Sequence, residues 1–218
     1  MLVTFDCYGT LLDTAPVGAA VAVIAERAGI DPDAAVATFS AWEDRLMYGG
    51  EFLPFEALIG QALQRCDQDL RTGATLAAGA DELRAVCARL APFADVVPTL
   101  QRLHDVGIRL GVVSNTSQRL LDCHRRILDD LFELTLCADE IRAYKPQDAV
   151  FDRIATWPAP GERHVHVAKG YWWDVEPAQR RHWETIWINR DQLAPLPGAP
   201  VPPQLPTLTG LPELLQLR

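Results

Sequence analysis

The sequence predicts an α/β protein in which a parallel sheet carries helices on both faces and a block of helices follows the first strand. Two observations predict it. Leu2 to Phe5 is a short apolar run of β-forming residues, which is typical of a buried parallel strand. From about Pro92 onward, apolar runs alternate with amphipathic segments, and repeated strand–helix units indicate a parallel sheet with right-handed crossovers.

Composition narrows the class of protein further. At 218 residues, with 49% apolar and 22% charged residues, the chain is an ordinary globular protein with a substantial core. Its net charge of −9 argues against nucleic acid and anionic membrane as partners, because both attract basic patches. No apolar run approaches the length of a membrane span, and no signal-type segment opens the chain. The five cysteines form no close metal-type pair, so we expect reduced thiols in a cytoplasmic protein.

The segment between the first strand and Pro92 shows helical periodicity and almost no strand pattern. Four helices are predicted in it: Val17 to Ala28, Pro32 to about Met47, Phe55 to Cys66, and Asp81 to Leu90. Asp31 is the predicted N-cap of the second helix. We therefore predict a helical cap domain of residues 14–92, inserted into an α/β core domain of residues 1–13 and 93–218. This placement favours a lid beside the carboxyl end of the first strand.

The strand–helix alternation resumes after the inserted helices. The predicted strands are Ile108 to Val113, Phe132 to Cys137, His164 to Ala168, and Thr185 to Asn189. The predicted helices are Val96 to Asp105, Gln118 to Ile127, Asp148 to Thr156, and Asp174 to Arg181. The proline-rich tail from Leu193 is predicted to be mostly irregular, with one helical turn near Leu211 to Leu215.

Polar residues follow the predicted strands or precede the predicted helices at four points of the chain. They are Asp6 with Thr10, Ser114 with Asn115, Lys145, and Asp174. Because the carboxyl ends of parallel strands meet at one edge of a sheet, we expect one crevice to collect these side chains. Asp6 is followed by Gly9 and Thr10, so amide and hydroxyl donors surround it, as a carboxylate nucleophile requires. A strand-ending aspartate that only caps the following turn is the alternative, and this stretch alone does not decide between them.

These motifs resemble, in type and in order, those of the haloacid dehalogenase superfamily of hydrolases. From Asp6 the chain reads Asp-x-Tyr-Gly-Thr-Leu-x-Asp, followed later by Ser-Asn, Tyr-Lys-Pro and a late Asp. The first motif is fairly specific, and the others gain weight mainly from their order. The resemblance spans nearly the whole chain. It implies a Rossmann-like parallel sheet with an inserted helical cap.

Two positions distinguish the branches of this superfamily. Phosphatase members carry a general-acid Asp at the place of Tyr8, and a magnesium-holding Gly-Asp at the place of Ala168-Lys169. Tyrosine has a reference pKa of about 10, and a protonated lysine has no lone pair for a cation. The chain is more similar to the 2-haloacid dehalogenases, whose first motif reads Asp-x-Tyr-Gly-Thr and whose reaction uses no metal. We therefore expect no cofactor, with Mg²⁺ as the alternative.

The resemblance to the 2-haloacid dehalogenases implies a role for each motif residue. Asp6 would attack the halogen-bearing carbon to form an ester, Lys145 would keep Asp6 ionised, and Asp174 would orient or activate water. The residues implied in substrate binding are Thr10 and Ser114 for the carboxylate and Asn115 for the halide, with Tyr8, Arg45, Lys169 and Trp173 beside them. Arg45 is included because it follows Trp42 in the cap, as an arginine follows a tryptophan in the dehalogenases.

Other conspicuous residues have structural interpretations. His164 and His166 share one face of a predicted strand, and without a third ligand a structural role is favoured over metal binding. Glu43 and Asp44 are predicted to lie on a solvated helix face, with a pairing of Glu43 to Lys169 across the cleft as the alternative.

Three functions remain open from the sequence. The first is metal-independent hydrolysis of a small 2-halo carboxylic acid. The second is a magnesium-dependent phosphatase of the same fold, and the third is a non-enzymatic member whose cleft has drifted. The joint presence of the motif residues argues against drift. We expect a small anionic substrate, and a homodimer is left open.

Overall fold

A computed structural model of the chain describes residues 1–195, 198 and 200–217. Its centre is a parallel sheet whose strands are ordered β3-β2-β1-β4-β5-β6. The strands are β1 (Leu2–Asp6), β2 (Arg109–Ser114), β3 (Leu134–Cys137), β4 (His164–Ala168), β5 (Glu184–Ile188) and β6 (Gln204–Leu205). The predicted α/β class, with the first strand inside a parallel sheet, is confirmed.

Between β1 and residue 92 the chain forms four α-helices, called the cap helices below. They are α1 (Ala15–Arg27), α2 (Pro32–Tyr48), α3 (Phe55–Leu70) and α4 (Ala80–Cys87). An apolar cluster that includes Leu58 and Leu63 holds them together. The Asp31 carboxylate accepts a hydrogen bond from the Ala34 N–H at 3.0 Å and caps α2, as the sequence predicts. The division into a cap domain of residues 14–92 and a core domain stays a prediction.

The remaining helices cover both faces of the sheet. They are α5 (Val96–Asp105), α6 (Gln118–Ile127), α7 (Ala138–Ile141), α8 (Asp148–Ile154), α9 (Glu176–Arg180) and α10 (Leu211–Leu214). Successive strand residues point to opposite sides of a sheet. Val112 of β2 therefore packs in one cluster with Leu100 of α5, and the neighbouring Val113 packs in another with Phe151 of α8.

The prediction that Asp174 begins a helix is wrong. Asp174 lies in a π-helical turn, Tyr171–Val175, and α9 begins only at Glu176. The N–H groups of Asp174 and Val175 both donate to the carbonyl of Gly170, at 3.0 and 3.1 Å. This wide turn brings the Asp174 side chain back toward the end of β4, which an ordinary helix start does not specify.

The described part of the tail is mostly irregular, as predicted, but it also contains one short strand that was not predicted. Gln204–Leu205 forms an edge strand, and the Trp187 N–H donates to the carbonyl of Pro203 at 2.9 Å. The flanking prolines hid this strand, because proline lowers strand propensity everywhere except at edges. The helical turn near Leu211 is present as α10. The tail prediction also covered residues 196, 197, 199 and 218, which lie outside the described residues.

None of the helices in the described part of the chain combines the length and apolarity that a membrane span requires.

Candidate active site

A buried lysine joins two carboxylates at the carboxyl edge of the sheet. Lys145 Nζ lies 2.7 Å from Asp6 Oδ1 and 2.8 Å from Asp174 Oδ1, and it also donates to the carbonyl of Val113 at 3.3 Å. Asp6 ends β1, and Asp174 follows β4, the strand beside it. All three side chains are buried. The three residues predicted to be catalytic are thus in direct contact, because adjacent parallel strands end at the same edge.

The two carboxylates differ in their electrostatic surroundings. Burial raises the pKa of Asp6 above its ordinary value, Lys145 opposes this shift, and the nearby Asp174 reinforces it. Burial also acts on Asp174, but Lys145 and His166 outweigh it and hold the Asp174 pKa below its ordinary value. For Lys145, burial favours the neutral amine, and the two carboxylates overcome this and raise its pKa. The cluster is thus built to keep Lys145 protonated.

The hydroxyl of Thr10 forms a hydrogen bond with Asp6, the candidate nucleophile. This hydroxyl donates to Asp6 Oδ2 at 2.6 Å and accepts a hydrogen bond from the Lys169 N–H at 2.8 Å. Thr10 is completely buried and does not line the cavity described below. The structure therefore does not place Thr10 where the sequence resemblance implied, in contact with a substrate carboxylate. Its hydroxyl instead orients Asp6.

Lys169 is directed away from the two carboxylates. Its ammonium lies 2.8 Å from Asp191 Oδ2, on the surface. Its aliphatic stem packs over Gly9, which has a φ of +76°, and a Cβ at Gly9 would lie 3.0 Å from Lys169 Cδ. The Lys169 ammonium therefore does not enter the cleft, and it pairs with Asp191 rather than with Glu43, the partner that the alternative named. The cation between the two carboxylates is the ammonium of Lys145. It is held there by Asp6 at the end of β1, by Asp174, and by the carbonyl of Val113 in β2.

His166 is a residue of the site that sequence reasoning assigned to structure alone. Its Nε2 lies 3.0 Å from Asp174 Oδ1, and its Nδ1 lies 2.8 Å from Thr4 Oγ1. Thr4 Oγ1 also lies 2.8 Å from Nε2 of His164. No sequence signal identifies this contact, because it depends on the pairing of β4 with β1, which sets His166 beside Thr4, and on the turn that carries Asp174.

Ser114 and Asn115 are neighbours in the sequence, but only Asn115 lines the cavity described below. The Asn115 side chain is fixed by the backbone of Lys145: its Oδ1 accepts from the Lys145 N–H at 2.8 Å, and its Nδ2 donates to the Lys145 carbonyl at 3.1 Å. Asn115 lines the cavity. Ser114 is buried at the end of β2 and does not line it, and its hydroxyl has no hydrogen-bond partner among the described residues.

A cavity of about 460 Å³ lies between the sheet edge and the cap helices. Its floor is Asp6, Lys145 and Asp174. The predicted substrate-binding residues that line it are Tyr8, Asn115 and Trp173. The Tyr8 hydroxyl bonds to Thr116 Oγ1 at 2.8 Å, and the Trp173 ring stacks on Tyr48 of the cap at 4.5 Å between centroids. Apolar side chains complete the walls: Val17, Phe39, Met47, Phe55 and Leu90.

The cap wall of the cavity is acidic rather than basic. Arg45 is exposed and its guanidinium lies 5.0 Å from the centroid of the Trp42 ring, so its predicted place at the site is wrong. Glu43 and Asp44 line the cavity instead, and the solvated-face interpretation of Glu43 is also wrong. A helix turns by about 100° per residue, so neighbours on α2 point in different directions. Burial, reinforced by Asp44, raises the pKa of Glu43 to about 7.

This combination of an α/β core, a cap and a carboxylate–lysine–carboxylate cluster defines a hydrolase with an aspartate at the end of its first strand. Residues 1–180 match the family model for haloacid dehalogenase-like hydrolases. The chain belongs to this family, as the sequence motifs predicted.

Several proteins that the chain resembles are named as dehalogenases. The chain is 28% identical to haloacetate dehalogenase H-2 of Moraxella sp. (strain B), over 92% of each protein. It is 27% identical to (S)-2-haloacid dehalogenase 4A of Burkholderia cepacia, over 97% of this chain and 93% of that protein. The crystal structure of the L-2-haloacid dehalogenase RSc1362 shares the fold, with a TM-score of 0.82, 24% identity, and coverage of 99% and 98%.

Proposed function

We propose that this protein is a metal-independent hydrolase that replaces the halogen of a small 2-halo carboxylic acid with a hydroxyl group, using Asp6 as the nucleophile. The observation that carries the proposal is the Asp6 carboxylate on the cavity floor, held by Lys145 at 2.7 Å and by Thr10 at 2.6 Å. Two fixed donors restrict the carboxylate to one orientation toward the cavity, as attack on carbon requires. The similar dehalogenases support the same chemistry.

The reaction has two steps. A carboxylate oxygen of Asp6 forms a bond to the substrate carbon, and the carbon–halogen bond breaks, so halide leaves with the electron pair. Water then attacks the carbonyl carbon of the resulting ester, which regenerates Asp6 and releases the hydroxy acid. Asp174 is placed to take the proton of that water, since its Oδ2 is buried without a described hydrogen-bond partner while its Oδ1 is held by Lys145 and His166.

Phosphatase chemistry through magnesium fits these residues poorly. The space between Asp6 and Asp174 is filled by the Lys145 ammonium, and a second cation there would meet direct repulsion. Tyr8, where phosphatases carry a general acid, is bonded to Thr116, and burial raises its pKa well above the ordinary value. We infer that Lys145 supplies the positive charge a metal ion would otherwise bring.

Halide release from 2-chloropropanoate, measured with and without Mg²⁺ and alongside phosphate release from p-nitrophenyl phosphate, tests the reaction class. We expect halide release that is independent of Mg²⁺ and no phosphate release. A single turnover in heavy-oxygen water tests the nucleophile: the label should enter the Asp6 carboxylate and reach the product only in later cycles. Label in the first product, with Asp6 unlabelled, would exclude Asp6 as the nucleophile.

Two substitutions supply the controls. Asp6→Asn should abolish halide release while keeping the fold, because the amide is nearly isosteric with the carboxylate but a poor nucleophile. Asp13→Asn is the matched change in the same loop: Asp13 accepts a hydrogen bond from the Ala15 N–H at 2.9 Å and does not line the cavity. It should retain turnover. Asp174→Asn should let the ester accumulate, because the second step loses its base.

A further inference from the structure

The charges that line the cavity do not suit an anionic substrate by themselves. Four carboxyl groups (Asp6, Glu43, Asp44 and Asp174) and one ammonium (Lys145) line it among the described residues. An ammonium has three N–H donors, and those of Lys145 are directed to Asp6, Asp174 and the carbonyl of Val113. Lys145 therefore has no donor left for a substrate carboxylate.

The cap does not supply a cation either. Arg45 lies over the Trp42 ring outside the cavity, and Lys169 is paired with Asp191. The cavity face of α2 carries Ser40, Glu43, Asp44 and Met47, whose spacing places them on one side of the helix. A carboxylate that enters between this wall and the floor meets oxygen atoms on both sides. A proton on one of the facing carboxyl groups would relieve this repulsion and add a hydrogen-bond donor.

We propose that Glu43, in its protonated form, donates a hydrogen bond to the carboxylate of the substrate and thereby selects small organic acids. The proposal rests on the function proposed above and names the substrate-recognition residue of the same site. Ser40, one helical turn earlier on the same wall, provides a neutral donor beside it. Binding of the anion is then coupled to protonation of Glu43.

The environment of Glu43 supports protonation near neutral pH. Its pKa is raised to about 7 by burial and by Asp44, and among the described residues no cation or hydrogen-bond donor offsets this shift. A bound carboxylate raises the pKa further, because two carboxylates in one site share a proton. Glu43 is therefore half-protonated in the empty cavity near pH 7 and mostly protonated when an acid is bound.

Several other titratable groups face Glu43 in the cavity. They are Asp44 on the same helix, Tyr8 after β1, Cys87 at the end of α4, Tyr144 before Lys145, and Asp6, Lys145 and Asp174 on the floor. The pKa values of Tyr8, Cys87 and Tyr144 are all raised, that of Cys87 to about 12, so these groups stay neutral at pH 7. Asp6 and Asp44 also have raised pKa values, and variants are needed to distinguish them from Glu43.

The test is binding of propanoate, which has the carboxylate but no halogen and cannot be turned over. Calorimetry from pH 5.5 to pH 8.5 should show its dissociation constant rising about 30-fold, because the protonated fraction of a group with a pKa near 7 falls by that factor. Measurements at pH 7.5 in two buffers of different ionisation enthalpy should show net proton uptake on binding.

Glu43→Gln keeps a donor of similar shape and removes the titration. It should bind propanoate with the same affinity across this pH range and without proton uptake. Glu26→Gln is the matched control, since Glu26 is exposed on α1 and does not line the cavity. It should retain the native pH profile.

Three outcomes would overturn the proposal. The first is a flat profile in the native protein. The second is an unchanged slope in Glu43→Gln, which would assign the proton to Asp6 or Asp44. The third is tighter binding of propanamide than of propanoate at pH 5.5, which would mean that the wall selects uncharged substrates. Because propanoate binding needs no turnover, each result is independent of whether halide is released from a 2-halo acid.

Discussion

Nε2 of His166 lies 3.0 Å from Asp174 Oδ1, and the opposite ring nitrogen lies 2.8 Å from the hydroxyl of Thr4. Because Asp174 is ionised, it can only accept a hydrogen bond, so the Nε2–H of His166 donates to it. Nδ1 of His166 then accepts a hydrogen bond from the Thr4 hydroxyl, and the Thr4 oxygen accepts one from Nε2 of His164. This buried chain of donors spans β4, β1 and the turn that carries Asp174. It fixes one oxygen of Asp174, and the other oxygen has no hydrogen-bond partner among the described residues.

We predict that His166→Gln slows hydrolysis of the Asp6 ester. Loss of a hydrogen bond to a charged group costs about 1.5–3 kcal/mol, which corresponds to about a 13- to 160-fold decrease in kcat. KM should fall with kcat, because the ester accumulates when its hydrolysis becomes slower. Mass spectrometry of the protein during turnover should detect the adduct. Thr4 contacts Asp174 only through His166, so Thr4→Val should lower kcat in the same direction but by a smaller factor. Equal loss of kcat without an adduct would contradict a role in the second step.

The two lysines near the site should differ sharply in their contribution to stability. Lys145→Met leaves two buried carboxylates without their cation and should lower the free energy of unfolding by about 3–5 kcal/mol at pH 7. Lys169→Met removes a surface pair and should change it by less than about 1 kcal/mol. Urea denaturation measures both.

The loss in Lys145→Met should shrink as the pH falls toward 4. Without the lysine, both carboxylates have raised pKa values in the folded state, so the folded protein binds more protons than the unfolded chain and becomes relatively more stable in acid. A loss that grows in acid would show that the carboxylates are not coupled to Lys145.

Glu43 should make the native protein less stable as the pH rises. Its pKa is about 7 in the folded state and lies near the ordinary value of 4.5 in the unfolded chain. The folded state therefore binds the extra proton between these values, and the free energy of unfolding decreases from pH 4.5 to pH 7 by about 1–3 kcal/mol. Glu43→Gln should be more stable than the native protein at pH 8 and about equally stable at pH 4. Glu26→Gln should show neither difference.

The ion pair of Arg190 and Asp95 should stabilise the contact between the segment after β5 and the start of α5. Arg190 binds Asp95 through both terminal nitrogens, at 3.1 and 2.9 Å, and donates to the carbonyl of Thr10 at 2.9 Å. Asp95 also accepts from the Leu208 N–H at 2.6 Å. Asp95→Asn should lower the free energy of unfolding by about 1–3 kcal/mol at pH 7.

The difference in the free energy of unfolding between the native protein and Asp95→Asn should depend on pH in the way expected for a carboxylate with a lowered pKa. Burial opposes ionisation of Asp95, but Arg190 and the Leu208 N–H outweigh it and lower the Asp95 pKa. The stabilisation is present above the unfolded pKa of about 4 and is lost as the pH falls through the lower folded value. Thermal melts of both proteins between pH 2.5 and pH 7 should therefore converge in acid.

The sequence alone determined the fold and the members of the floor cluster. A buried parallel strand has a continuous apolar sequence, which identified β1. Four successive segments with helical periodicity identified the cap helices. Asp6, Lys145 and Asp174 could be grouped in advance because parallel strands end at one edge of a sheet, whatever the details of packing. The family motifs supplied the same grouping.

Only the tertiary structure decided which charged groups enter the cavity. Lys145 and Lys169 are both near strand ends, and the choice between them depends on which ammonium the surrounding strands enclose. Arg45 and Glu43 are two positions apart on α2, so a rotation of about 200° about the helix axis separates them. That rotation is set by the packing of α2 against α1 and α3, which periodicity resolves only coarsely. The long-range contact of His166 with Asp174 likewise depends on a wide turn that has no sequence signature of its own.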